Sequence, residues 1–187
     1  MSNVYEKCPV LENDKFVIRL IDEKDAKDLF LVYSDKNVLP FLNSDNCHGS
    51  NFYCEKEEYV LESIKYWKIE YANRGFVRFS IVDKTMDQVI GTIELFNRKA
   101  DDYFTDCGLM RIDVRNDHEN KEALKKILDV IVAPSFELFS CDMIATKAPI
   151  YAVERIEALK DFGFKKTEEC LVGQDGWKYH DYWVIHK

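Results

Sequence analysis

Residues 107–147, CGLMRIDVRNDHENKEALKKILDVIVAPSFELFSCDMIATK, decide the fold. Cys107 to Val114 has the content of a strand, Ala123, Leu124, Ile127, Leu128 and Ile131 recur at helical spacing within 120–132, and Met143 to Lys147 reads as a strand again. Pro134 is expected to break or kink the helix before a short extension from Phe136 to Phe139. A strand, a crossover helix and a second strand in one sheet normally make a right-handed parallel unit. A ligand is then expected at the carboxyl end of the first strand.

Working outward, Phe16 to Leu20 reads as a strand, and Asp22 caps a helix to about Tyr33 with Ala26, Leu29, Phe30 and Tyr33 on one stripe. Residues 40–56 have loop composition, and a helix from about Glu57 to Asn73 is ended by Gly75. Phe76 to Val82 and Gln88 to Asn97 are strands that the short turn DKTMD should pair as a hairpin. Beyond the central unit come a helix from Val153 to Asp161, closed by Gly163, and two strands, Lys166 to Val172 and Tyr179 to His186. The order implies an α+β class built on a mixed sheet. No linker, repeat or low-complexity tract divides the chain, so residues 1–187 are expected to form a single domain.

Composition narrows the function. A chain of 187 residues that is 47% hydrophobic, 32% charged and 13% aromatic can bury a full core and is neither disordered nor fibrous. Its 26 Lys and Arg against 34 Asp and Glu give a formal charge of -8, which argues against a nucleic-acid partner and favours a cationic or neutral one. No run approaches the ~20 apolar residues of a membrane span, so no membrane partner is expected. The six cysteines show no short repeated spacing and read as reduced thiols, and with no apolar leader at the start the expected location is cytoplasmic. Cys47, His48, Cys54 and His118 fit no recognised ligand spacing, and no metal is expected.

With that order in hand, the sequence resembles the GNAT N-acetyltransferase superfamily, in its ribosomal-protein N-terminal acetyltransferase branch. The resemblance runs from FVIRLIDEKDAKDLF (16–30) through VIGTIELF (89–96) to HDYWVI (180–185). ERIEALKDFGF (154–164) is similar to the family's helix that ends in Gly-Phe, and EALKKIL (122–128) to the helix after its pyrophosphate loop. The resemblance implies a mostly antiparallel sheet of about seven strands, splayed between two parallel central strands and flanked by helices. It also implies acetyl-CoA as cosubstrate and a primary amine as acceptor, either a peptide N-terminus or a small amine, in a monomer or homodimer. The alternative reading is a GNAT-fold binding or regulatory protein that has lost standard acetyl-CoA binding.

The family's Q/R-x-x-G-x-G/A loop falls on Arg115, His118 and Asn120, so the arginine matches and both small residues are replaced. All seven glycines lie outside residues 109–162. Two other family positions, an Asn and a Tyr ahead of the Gly-Phe, fall on Ala152 and Leu159. The implied cofactor-binding set is Ile112, Val114, Arg115, His118, Asn120 and Lys121, with backbone N–H groups near Ile112 to Arg115 facing the thioester oxygen. Arg115, Lys121, Lys125 and Lys126 form either a diphosphate patch or a solvated face paired with Glu119, Glu122 and Asp129. His118 either reaches a phosphate or is merely solvated, the more common state of an isolated loop histidine.

Glu94 is the candidate general base, since strand alternation sets it on one side with Ile90, Thr92 and Phe96, in partly apolar surroundings, but pairing with Arg78 on the neighbouring strand is an equal alternative. Asp113 is expected in a surface pair with Arg111, and Phe41, Phe52 and Tyr53 either wall an acceptor pocket or pack beneath their own loop.

Overall fold

The computed structural model describes residues 3–187. In chain order the elements are β1 (Leu11–Glu12), β2 (Phe16–Leu20), α1 (Ala26–Tyr33), α2 (Glu57–Ala72), β3 (Val77–Asp83), β4 (Gln88–Arg98), β5 (Cys107–Val114) and α3 (Lys121–Leu138). After them come β6 (Met143–Lys147), α4 (Val153–Phe162), β7 (Lys165–Lys166), β8 (Leu171–Val172), β9 (Lys178–Tyr179) and β10 (Tyr182–His186). Eight strands form one sheet in the order β1-β2-β3-β4-β5-β6-β10-β7, and β8 and β9 make a separate hairpin. Every pairing in the main sheet is antiparallel except β5 with β6.

That parallel pair is short: only Gly108 to Met110 lie opposite Ile144 to Thr146, while β5 stays paired with β4 as far as Val114. The two central strands therefore part after Met110. Gly91 explains how tightly β4 follows β5 there, because a Cβ on it would sit 2.1 Å from the Asp113 carbonyl oxygen.

Alternation sorts the side chains onto two faces. Met110, Ile112 and Val114 pack with the apolar stripe of α3, Ala123, Leu124, Ile127 and Ile131, in the largest core cluster. A second cluster joins α1 and α2 through Leu29, Val32, Tyr33, Ile64 and Trp67. Burying an aliphatic side chain of this size stabilises by roughly 1.5–3 kcal/mol, so these stripes fix the helices on the sheet.

Most element positions agree with the pattern in the chain, with four differences. Helix α3 runs unbroken through Pro134 to Leu138. Its neighbours Val132, Ser135 and Phe136 are buried, and the Ser135 hydroxyl donates to the Ile131 carbonyl at 2.6 Å, so packing overrides the missing N–H. The stretch 166–172 is not one strand: Lys166 pairs with Trp183 on β10, whereas Leu171 and Val172 pair with β9 around a turn in which the Gly176 N–H donates to the Gly173 carbonyl. The last strand begins at Tyr182, because Asp181 adopts a positive φ of 66° that interrupts the run from Tyr179. Finally, Asp22 does cap as expected, but its capping box opens a 3-10 turn, Glu23–Asp25, before α1.

Candidate active site

Strand register brings six polar side chains into a ladder across β3, β4 and β5. Arg78, Glu94 and Arg111 share one rung, and Ser80, Thr92 and Asp113 the next. The Arg78 guanidinium donates from Nη2 to Glu94 Oε2 at 2.6 Å, and Arg111 Nη1 lies 3.0 Å from Glu94 Oε1. Arg78 Nη1 also reaches Thr92 Oγ1 at 3.1 Å and Asp113 Oδ2 at 3.3 Å, while its guanidinium stacks 4.3 Å from the Trp67 ring. Tyr33 on α1 donates to Asp113 Oδ2 at 3.2 Å. Burial pushes the Asp113 carboxyl above its ordinary range, with Arg78 and Arg155 pulling the other way.

The Arg78–Glu94–Arg111 rung floors a cleft of about 750 Å3 between α2 and the β8–β9 hairpin. Phe52, Trp67, Phe76 and Phe96 supply apolar walls, and Arg78, Glu94 and Arg111 the polar floor. The loop over its edge is stapled down: the Asp45 carbonyl accepts from Arg111, and its carboxylate pairs with Lys147 at 2.6 Å and accepts from the Tyr182 hydroxyl at 2.9 Å.

Glu94 is thus buried and lines the cleft, with both oxygens already on guanidinium donors. Asp113 departs from expectation. It is buried and bonded to Tyr33 and Arg78, not exposed beside Arg111, because the rung places it across from Thr92. Of the three loop aromatics only Phe52 lines the cleft; Phe41 packs edge-on to Tyr151, and Lys36 lies over Tyr53.

Along the edge of β5 away from β4 lies the gap between β5 and β6. The Arg115 N–H donates to the Ile90 carbonyl of β4 at 2.7 Å. Strand alternation then turns the N–H groups of Ile112 and Val114 away from β4, toward the side that β6 has left. Beyond them Asn120 caps α3, its Oδ1 accepting from the Ala123 N–H at 3.0 Å.

The connection 115–120 is filled with side chains. His118 is buried, with Nδ1 2.8 Å from Asp117 and Nε2 3.2 Å from Asp83, so the expectation of a solvated histidine fails on tertiary packing against β3. Arg115 forks Asp117 at 2.8 and 2.9 Å. The Lys121 N–H donates to the Glu154 carboxylate of α4 at 2.9 Å, and the Lys121 ammonium lies 3.0 Å from Asp161. Glu119 does not pair with these lysines; Arg155 on α4 forks it at 2.7 and 2.5 Å, and both side chains are buried.

Arg155 and Glu154 escaped the reading of the sequence. The one signal was that Arg155 occupies the apolar stripe of α4, three and four residues ahead of Ala158 and Leu159. Among the described residues, no group of three or more His, Cys, Asp or Glu is arranged to hold a metal.

No protein-family profile matches the chain, and no curated protein matches it either. Solved structures do. The ribosomal-protein-S5-alanine acetyltransferase from Vibrio fischeri superposes with a TM-score of 0.69 at 17% identity, over 95% of this chain and 96% of that one. RimJ from Mycobacterium smegmatis, solved in complex with CoA-disulfide, gives 0.70 at 13% identity, over 95% and 86%. A GNAT-family acetyltransferase from Bacillus anthracis gives 0.69 at 13%, over 95% and 98%.

The chain has the GNAT fold. A glycine loop presents several backbone N–H groups to a diphosphate, but here the N–H groups of His118 and Glu119 bond back to Arg115 and Asn116. What this head of α3 fits is a single anionic group on the Lys121 N–H, and the carboxylate of Glu154 holds that place. The open N–H groups of Ile112 and Val114 fit a carbonyl oxygen.

Proposed function

We propose that this chain transfers an acetyl group from acetyl-CoA to a primary amine, either a peptide N-terminus or a small amine. The observation that carries the reading is the parting of β5 from β6 within a fold shared over 95% of the chain with acetyltransferases. Acetyl-CoA would supply the acyl group as a thioester, with Lys121, Arg115, His118 and Asn120 around its anionic end. The N–H groups of Ile112 and Val114 would donate to the acyl oxygen, where negative charge develops. The amine would enter the cleft between Phe52, Trp67 and Phe96, its positive charge favoured by a chain of formal charge -8. Glu94 on the cleft floor would take the amine's proton, directly or through a water, one guanidinium moving aside as it does so; the C–N bond forms as the thioester C–S bond breaks, and CoA leaves as a thiolate that takes up a proton from solvent.

A second reading has its own observation. With both Glu94 oxygens on arginines and a carboxylate of the chain at the head of α3, a protein that binds in the cleft without turnover also fits.

Incubation with acetyl-CoA and a panel of peptides and polyamines, read by mass spectrometry, separates the two. Transfer predicts an acetylated amine and a rise in melting temperature with CoA, since a ligand of the native state stabilises by mass action. A cleft ligand that raises the melting temperature while CoA does nothing would favour the binding protein.

A further inference from the structure

Resting on the acetyl-transfer reading and narrowing its acceptor, we propose that the cleft takes a free α-amino acid with an apolar side chain, its carboxylate bound by Arg111. Two guanidiniums share one carboxylate on the cleft floor, Arg78 on Glu94 Oε2 and Arg111 on Oε1. The other cations of the cleft have carboxylates of their own, Arg98 on Asp102 and Lys99 on Asp106. Arg78 adds Asp113 and is sealed at 1% exposure against the Trp67 ring. Arg111 adds only the backbone carbonyl of Asp45, whose carboxylate goes to Lys147 and Tyr182. Its Nε is buried and finds no acceptor among the described residues. A nine-tenths buried cation with no carboxylate to itself and an idle donor, in the floor of a cleft, is a seat for an anionic group.

The contact between Arg111 and Glu94 sets the ligand's second charge. A plain amine that took Glu94 Oε1 would push Arg111 off the one carboxylate it touches and strand a buried guanidinium. A plain carboxylate on Arg111 would cost Glu94 one of its two cations. A zwitterion replaces both partners at once: its ammonium takes Glu94 Oε1, its carboxylate takes Arg111, and Arg78 stays on Oε2. Arg111 Nη1 and Glu94 Oε1 are 3.0 Å apart, which suits two ligand charges carried on a single carbon, as in an α-amino acid. Phe52, Trp67, Phe76 and Phe96 wall the space left for its side chain. A peptide N-terminus has an amide where the carboxylate is needed, and so leaves Arg111 uncompensated.

The test measures binding of leucine, leucinamide, 3-methylbutylamine and 4-methylpentanoate to the full chain by calorimetry. Leucine carries both charges, the next two lack the carboxylate, and the last lacks the amine. Leucine should bind at least about tenfold tighter than each of the others, the scale of a hydrogen bond to a charged group. Arg111→Gln should remove that preference, and Arg111→Lys, which keeps the charge, should retain part of it; if Arg111→Gln does not fold, the probe series on the parent decides. Leucinamide or the amine binding as tightly as leucine would overturn the proposal, as would an unchanged preference in Arg111→Gln or no binding of any probe to the parent. Added acetyl-CoA separates this proposal from the reading it rests on. Acetylation of leucinamide or the amine in preference to leucine would overturn the carboxylate seat and leave acetyl transfer standing. Preferential binding of leucine with no acetylation of any probe would uphold the seat and overturn acetyl transfer.

Discussion

The cleft floor and the head of α3 are both built from arginines and carboxylates, yet one opens to a cleft and the other is sealed. On the floor, Arg78 serves Glu94, Thr92 and Asp113 at once, and Arg111 adds a second cation to Glu94. At the head of α3, Arg155 hydrogen-bonds Glu119 alone, fork to fork, and acts on Asp113 only through its charge. Three adjacent strands in register make a shared network beside open space, whereas a helix closing on a loop makes a private pair. A shared network can give up one contact to a ligand and keep the rest. A private pair can only break.

Arg155→Ala should produce the largest effect, a loss of about 3–5 kcal/mol in urea unfolding, because Glu119 is left buried and uncompensated. Replacing both partners, Glu119→Gln with Arg155→Met, should recover most of that loss. Arg78→Ala should cost a similar amount, but Arg78→Met with Glu94→Gln should not recover it, since Asp113 still lacks its cation. Equal recovery by the two double variants would erase the distinction between network and pair.

Acid titration sharpens the comparison. At Asp117 the Arg115 guanidinium holds the carboxyl below its ordinary range; at Asp83 burial opposes, and His118 with two backbone N–H groups prevails. Their folded pKa values lie below the unfolded value of about 3.9, so their contribution is complete above that pH and is lost as pH falls from there through the folded pKa values. Asp113 runs the other way: burial raises its folded pKa, so its contribution is greatest below about pH 3.9 and is lost as pH rises through the folded pKa. Asp113→Asn removes this opposing trend, and its stability should fall more steeply with acid than the parent's. A parallel acid profile for the two proteins would refute the assignment.

Smaller effects follow from the head of α3 itself. Asn120→Ala should cost about 1 kcal/mol through loss of the cap to the Ala123 N–H, read as a shift in melting temperature. Lys125→Ala should leave the melting temperature unchanged, because its partner Asp161 is solvent-screened. A loss there would mean that the surface pairs around α3 act as a network.

Local patterns in the chain carried most of the architecture. The strand at 16–20, the hairpin at DKTMD and the unit from Cys107 to Lys147 could be read because side-chain period and turn chemistry are properties of neighbours in sequence. Glu94 could be placed beside Arg78 for the same reason, since a short hairpin sets its own register. Pro134 misled because tertiary packing outweighed its helix-breaking tendency.

What only the tertiary structure decided was which charge meets which. Glu119 and Arg155 are 36 residues apart, Lys121 and Glu154 are 33 apart, and Tyr33 and Asp113 are 80 apart. Charge attraction carries no periodicity along a chain, so a carboxylate five residues into a loop looks alike whether it ends in water or against a buried guanidinium. The packing of α3 against α4 and of α1 against the sheet brings those partners within hydrogen-bond reach and excludes the water that would otherwise screen them.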